Sequence, residues 1–326
     1  MRFVSRVAVL GVALVIAGCN AAATPSPSPV ASVAPPTPSG TPVPSPTASA
    51  AASPSAVPSV PASVGADCSR PSLKTMTPGK LTIGADNPAY GPWFAGPDPA
   101  AGSVWGNADP NNGLGLEAAT AYLIAQELGF PKPDVIWTPV PFLNATQPGP
   151  KTFDIYLTQV SYSADRAQAV DLSDGYFDDN QAIVFYKSNA ISKVTTVDGL
   201  KDFKLGTQVG TTSLTYINNN IKPTKNANVY DTLDRAIAGL KAKQIDGVVV
   251  DLGTAYFVRD VELDKGGISE LPTIGDQEHF SVVLNKGSSL TACVNQAIGA
   301  LKANGTLEGL RQEYIVKPEG DVPMLK

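Results

Sequence analysis

The sequence predicts an α/β architecture with parallel sheets, and two observations carry that prediction. From Lys80 onward, short apolar runs of strand type alternate with segments of helical period. The 259 residues from Cys68 to Lys326 are enough for one large domain or two smaller lobes with proper cores. No stretch in this part approaches 18 apolar residues, so none reads as a membrane span.

The elements follow in chain order. Lys80 to Ala85 reads as a strand. A helix is expected from Leu116 to Leu128, with an apolar stripe through Ala119, Tyr122, Leu123 and Ala125 and a stop at Gly129. Phe153 to Leu157, Ala182 to Tyr186, Lys204 to Gln208, Gly247 to Val250 and Phe280 to Leu284 read as further strands. Helical stretches are expected after Thr212, Asp231 and Ser289. The acidic run Asp171, Asp174, Asp178 and Asp179 lacks the spacing and glycine of a calcium loop and is expected to be a solvated loop.

Ahead of this part lies a different kind of sequence. Arg2 and Arg6 precede an apolar run from Val7 to Ala17, too short to span a bilayer but long enough for the core of an export signal. Ala17-Gly18-Cys19 follows directly, and the arrangement resembles the lipobox of bacterial lipoproteins. That resemblance implies a signal peptide over 1–18 and an acylated Cys19 anchored to the cell membrane, with two acyl chains giving stable attachment. An ordinary cleaved signal with an incidental cysteine is the alternative. The 47 residues from Asn20 to Ala66 contain 12 prolines and no Asp, Glu, Lys or Arg. Such a composition cannot bury a core, so 19–67 reads as a lipidated cysteine plus a disordered tether, reaching on the order of 140 Å at about 3.1 Å per residue.

Composition excludes several classes of function. The formal charge is −5, and about −7 without Arg2 and Arg6, which disfavours nucleic acid as a partner. Gly113-Leu114-Gly115-Leu116-Glu117-Ala118 matches the loose dinucleotide pattern but follows a polar turn in place of a strand. His279 is the only histidine, no Gly-x-Ser-x-Gly elbow occurs, and no Cys/His cluster offers metal ligands. A hydrolytic triad, a metal centre and a cofactor are therefore not expected, although acid/base chemistry by paired carboxylates stays open on residue types alone. With Cys19 acylated, Cys68 and Cys293 form an even pair in an oxidising compartment and are expected to be bridged, two buried thiols being the alternative.

Four segments at strand ends or helix starts carry the informative side chains. They are Tyr90-Gly91-Pro92-Trp93, Ser161 to Arg166, Gly210-Thr211-Thr212 and Asp251. In open parallel sheets, ligands sit at the carboxyl ends of strands, so these segments are placed to face one cleft. Arg166 offers a planar fork for a carboxylate, and the amides of Thr211 and Thr212 add donors at a helix start. Asp251 offers the opposite charge for an ammonium group, and Tyr90 or Trp93 an apolar wall. Together they suit a free amino acid. Singly, each also fits a surface ion pair, a helix cap or core.

At these residues the chain resembles the extracytoplasmic solute-binding proteins of ABC importers, family 3, the branch that binds polar amino acids. The resemblance spans about Gly79 to Glu313 and rests on Phe153-Asp154-Ile155, the Ser161-x-Ser163-x-Asp165-Arg166 turn and Val170 to Tyr176. Val209 to Ser213 and Asp246 to Asp251 match as well. It implies a two-lobed type 2 periplasmic-binding-protein fold with two crossover hinge strands, near Ala182 to Tyr186 and Phe280 to Leu284. Lobe 1 would comprise 68–183 and 280–326, and lobe 2 184–279.

The resemblance further implies that Arg166 clamps the ligand carboxylate with help from Ser161 and the Thr212 amide, while Asp251 holds the ammonium. Tyr90 would cover the ligand, with Trp93 behind it. Gln208 would touch the ligand side chain, and the backbone of Thr158 and Gln159 would accept from the ammonium. The ligand would bridge the lobes, close the hinge and be delivered to an ABC permease by a monomeric, non-enzymatic protein. A subunit reporting to a receptor, or a dehydratase-type enzyme on the same fold, are the alternatives.

Three departures from the family bear on the ligand. The chain has an Asn144 to Pro150 loop where relatives carry a helix, a longer Gly/Pro-rich loop from Phe94 to Asn112 with Trp105, and Gln159 where relatives favour a small residue. With no second basic residue at the matched positions, an acidic ligand lacks a partner. Gln208 and Gln159 favour a polar neutral, glutamine-like ligand. Asp86 and Asn87 align ambiguously near the first-lobe wall, and a basic amino acid stays open as an alternative if Asp86 points inward.

Overall fold

The computed structural model describes residues 66–315 and 322–326. The expected signal peptide, Cys19 and tether up to residue 65 lie outside the described residues. The described chain folds around two five-stranded mixed sheets.

The first sheet holds β1 (Leu81–Ala85), β2 (Val135–Pro139), β3 (Ile155–Tyr156), β4 (Asp171–Asp178) and β10 (His279–Leu284) in the order β2-β1-β3-β10-β4. β1 pairs parallel with β2 and β3, whereas β10 runs antiparallel to β3 and β4. Every residue of β1 is buried, as expected of a central parallel strand covered on both faces. The core beside it draws on α1 (Leu116–Glu127), α7 (Thr291–Ala303) and α8 (Thr306–Tyr314). A second cluster around Phe142, Phe153, Tyr156 and Val160 packs near α2 (Phe142–Thr146) and α3 (Ala164–Ala169). The 144–150 segment, expected as a loop, thus begins inside the last turn of α2.

The second sheet runs β7-β6-β8-β5-β9, from β5 (Gln181–Tyr186), β6 (Leu205–Gln208), β7 (Asn228–Tyr230), β8 (Gly247–Asp251) and β9 (Gly266–Glu270). β6 is parallel to β7 and β8, and β5 is antiparallel to β8 and β9. Its helices are α4 (Thr212–Tyr216), α5 (Leu233–Lys241) and α6 (Leu252–Phe257). β5 and β8 are fully apolar in their centres, Ala182 to Val184 against Val248 to Val250, and stand between two core clusters.

The chain crosses between the sheets twice. The first crossing is Asp179-Asn180, between β4 and β5, and the second spans Leu271 to Glu278, between β9 and β10. Both lie just before the strands expected to cross, so β5 belongs wholly to the second sheet and β10 wholly to the first. The acidic run is not a loop: Asp171, Asp174 and Asp178 lie on β4, whose pairing with β10 shifts register twice, and Asp179 is buried at the crossing. Residues 322–326, assigned to lobe 1 from sequence, pack on the second sheet instead. Met324 bridges Glu270, and the Leu325 amide donates to the Glu270 carbonyl at 2.9 Å.

Cys68 and Cys293 form the expected disulfide, with Cα atoms 5.4 Å apart and 225 residues between them in sequence. It ties the start of the folded part to α7. A bridge closing so long a loop contributes roughly 2–4 kcal/mol. Among the described residues, no helix is long and apolar enough to cross a membrane.

Candidate functional site

The carboxyl ends of the parallel strands of both sheets meet at one cleft. Its walls include Asp86, just past β1, and Thr158, Gln159 and Ser161, past β3. Arg166 on α3 joins them from the first sheet's side. Gln208, Thr211, Thr212 and Asp251 line it from the second sheet, with Tyr90 and Phe142 as aromatic walls. The space between these walls, counting the open mouth, is about 660 Å³.

Arg166 lies on the first turn of α3, whose start is fixed by Ser163: its hydroxyl accepts from the Arg166 amide at 3.2 Å. The guanidinium donates to the Ser161 carbonyl at 2.6 Å and, across the cleft, to the Gly210 carbonyl at 2.8 Å. It also stands over the Phe142 ring, 5.4 Å from the centroid. Burial lowers its pKa to about 10, so it stays charged at neutral pH.

Asp251 ends β8 and caps α6, accepting from the Thr254 amide at 2.7 Å. The cap reading and the cleft reading therefore both hold for one side chain. Burial raises the Asp251 carboxyl to about 6. Asp179, raised well above the usual carboxylate range by burial and then by the Asp251 charge, accepts from the Gly253 amide at 3.1 Å. Burial and their mutual repulsion thus disfavour the state in which both carboxylates of this pair are ionised.

Asp86 points inward. Burial lifts it to about 6 against the opposing effect of donors from the Asn87 and Phe142 backbones and the Gln208 side chain. Its own amide donates to Thr158 Oγ1 at 2.9 Å. Gln208 is thus turned toward Asp86, and its Nε2 also lies 3.5 Å from the Asp231 carbonyl.

Gln159 departs from expectation in a different way. Its backbone is left-handed, with φ of 41°, and both its amide and its side-chain Nε2 donate to the Glu117 carboxylate. Tyr176 donates to the same carboxylate, which burial raises to about 7. Gln159 therefore lines the cleft while its side-chain amide is held from behind by α1.

Trp93 does not line the cleft, contrary to the role given it from sequence. It is fully buried, with its ring against Phe177 and Phe280, and its indole N–H donates to Thr254 Oγ1 at 2.8 Å. The reason is local: Gly253 has no side chain, and a Cβ there would lie 2.3 Å from Trp93. Trp93 thus joins the first sheet's side to α6. Tyr90 does line the cleft, packs edge-on against Phe257 at 6.0 Å, and its buried hydroxyl has no partner among the described residues.

Thr211 caps α4 by accepting from the Leu214 amide at 3.2 Å. Thr212 and Ser161 stand with their hydroxyl oxygens 3.2 Å apart, one from each side of the cleft. Behind them sits Glu278, which sequence reasoning did not single out. Gln181, Thr207, Ser213 and Thr254 complete the polar lining. Among the described residues, no group of His, Cys, Asp and Glu side chains is placed to hold a metal ion.

Two α/β lobes joined by two crossings, with an arginine and an aspartate lining one cleft between them, define the class of hinged solute-binding proteins. The family of bacterial extracellular solute-binding proteins, family 3, matches residues 105–317, more than half of the chain, and the chain belongs to it. A probable histidine-binding protein of Neisseria gonorrhoeae is 28% identical over 174 residues, 51% of this chain. The chain spans about 62% of the length of that relative.

Among solved structures, an ancestral arginine-binding protein bound to glutamine is 25% identical with a TM-score of 0.58. The match covers 72% of this chain and 97% of the other. The arginine-, lysine-, histidine-binding protein ArtJ of Geobacillus stearothermophilus shares the fold at 21% identity and a TM-score of 0.60. That match covers 74% of this chain and 97% of ArtJ.

Proposed function

We propose that this protein binds a free amino acid in the cleft and that a cationic side chain is preferred. Arg166 takes the ligand's carboxylate and Asp251 its ammonium group, while Tyr90 closes the site from above. The observation that carries the preference is the inward position of Asp86, which sets two cleft-lining aspartates against one guanidinium. A ligand of net charge zero leaves one of them unanswered, whereas an arginine, lysine or histidinium side chain pairs with Asp86. Glutamine, favoured from sequence through Gln159 and Gln208, loses part of that support because the Gln159 side chain is engaged by Glu117. The probable histidine-binding relative points the same way, whereas the ancestral arginine-binding neighbour is one bound to glutamine.

The protein would work without covalent chemistry: a ligand touching both lobes binds the closed form best and shifts the hinge equilibrium toward it. The closed form would then be delivered to an ABC permease. Calorimetric titration with the twenty amino acids tests the preference. Removing one partner of a buried ion pair costs on the order of 3–5 kcal/mol, so Asp86→Asn is expected to weaken the cationic ligands at least about a hundredfold and glutamine far less. Tightest binding of glutamine, unchanged by Asp86→Asn, would restore the neutral-ligand reading.

A further inference from the structure

Glu278 lies at the end of the second crossing, one residue before β10, and reaches the cleft from behind. Its Oε1 accepts from Ser161 Oγ at 2.5 Å, from Thr212 Oγ1 at 2.7 Å and from Gln181 Nε2 at 3.0 Å, and its Oε2 accepts from Gln181 Nε2 at 2.8 Å. A hydroxyl has one proton to give and lone pairs with which to accept. With both protons directed at Glu278, Ser161 and Thr212 present only acceptor oxygens to the cleft they line. Family resemblance expected the reverse for Ser161, a donor assisting Arg166 on the ligand's carboxylate.

We infer that Glu278 is a positioning residue that sets ligand specificity by fixing these two hydroxyls as acceptors. This rests on the amino-acid reading of the cleft above. A carboxylate brought to this wall finds Arg166 and the Thr212 amide but neither hydroxyl proton, and it meets the Glu278 carboxylate behind them. An amine or guanidinium finds two neutral acceptors there. The site therefore gains less from the ligand's carboxylate than it would with the two hydroxyl protons free. Amines that lack the carboxylate, namely agmatine, cadaverine and histamine, become competitors of arginine, lysine and histidine.

The test is calorimetry on the full chain with each of those pairs, for wild type, Glu278→Ala and Glu278→Gln. The quantity read is the ratio of affinity for the amino acid to affinity for its decarboxylated partner. Freeing both hydroxyl protons is expected to raise this ratio about tenfold in Glu278→Ala, equivalent to about 1.4 kcal/mol, and by less in Glu278→Gln, whose side-chain oxygen still accepts. A purely structural role would weaken both members of a pair alike and leave the ratio unmoved. An unchanged or lowered ratio in both variants would overturn the inference while leaving the amino-acid reading intact. Failure of every amino acid to bind wild type would sink that earlier reading, and failure to bind the variants as well would overturn both.

Discussion

Asp86 and Asp251 each titrate near 6 because burial disfavours their charged forms. A cationic partner favours the ionised carboxylate, so the ligand binds the deprotonated site and must displace a proton where one is present. Affinity is therefore full above about pH 7 and falls as pH drops through 6. With both groups involved, arginine is expected to bind about a hundredfold more weakly at pH 5 than at pH 7.5, whereas glutamine, paired only with Asp251, loses about tenfold. Titration across that range reads the difference, and a flat profile would remove both carboxylates from the binding step. Most single residues of the site were legible in the sequence, because Tyr90, Arg166, Thr212 and Asp251 all sit at strand ends or helix starts. Glu278 was not: its partners Ser161, Thr212 and Gln181 lie 117, 66 and 97 residues away, so no local pattern announces it.

At the scale of elements, α1 shows what a periodicity argument misses. Of the stripe expected from sequence, Ala119, Tyr122 and Leu123 are only half-buried and Ala125 alone is enclosed, while Leu116, Glu117, Ala118, Thr120, Ala121 and Ile124 form the rest of the buried face. A glutamate inside such a helix looks like a surface residue until its three donors, from Gln159 and Tyr176, are seen. Glu117→Ala would strand those donors in a buried site. The expected cost is about 2–4 kcal/mol of stability, read from denaturant unfolding, together with weaker ligand binding as Gln159 leaves its left-handed conformation. An unaltered unfolding midpoint would show that Glu117 does not hold this turn. β4 was missed for a related reason: its aspartates and its double register shift against β10 erase the alternation by which strands are recognised.

Over the whole molecule, contacts between the two sheets' sides cluster around the cleft. Arg166 reaches the Gly210 carbonyl, Trp93 reaches Thr254, and Tyr90 meets Phe257, each from the first sheet's side to the second. Alternating elements announced an α/β fold and the family resemblance implied its two lobes, while the exact crossings and the seat of residues 322–326 depended on long-range pairing that no local signal encodes. If Cys19 carries the anchor its flanking residues suggest, Cys19→Ser is expected to move the protein from the membrane fraction to the soluble extracytoplasmic fraction. Unchanged membrane association would refute the lipid anchor. The central claim is that one amino acid spans the lobes between Arg166 and Asp251. Calorimetry of arginine, lysine, histidine and glutamine on wild type, Arg166→Ala and Asp251→Ala tests it most directly: the account predicts at least a hundredfold loss of the wild-type ligand in each variant, with the fold intact. Equal binding by all three proteins would contradict it.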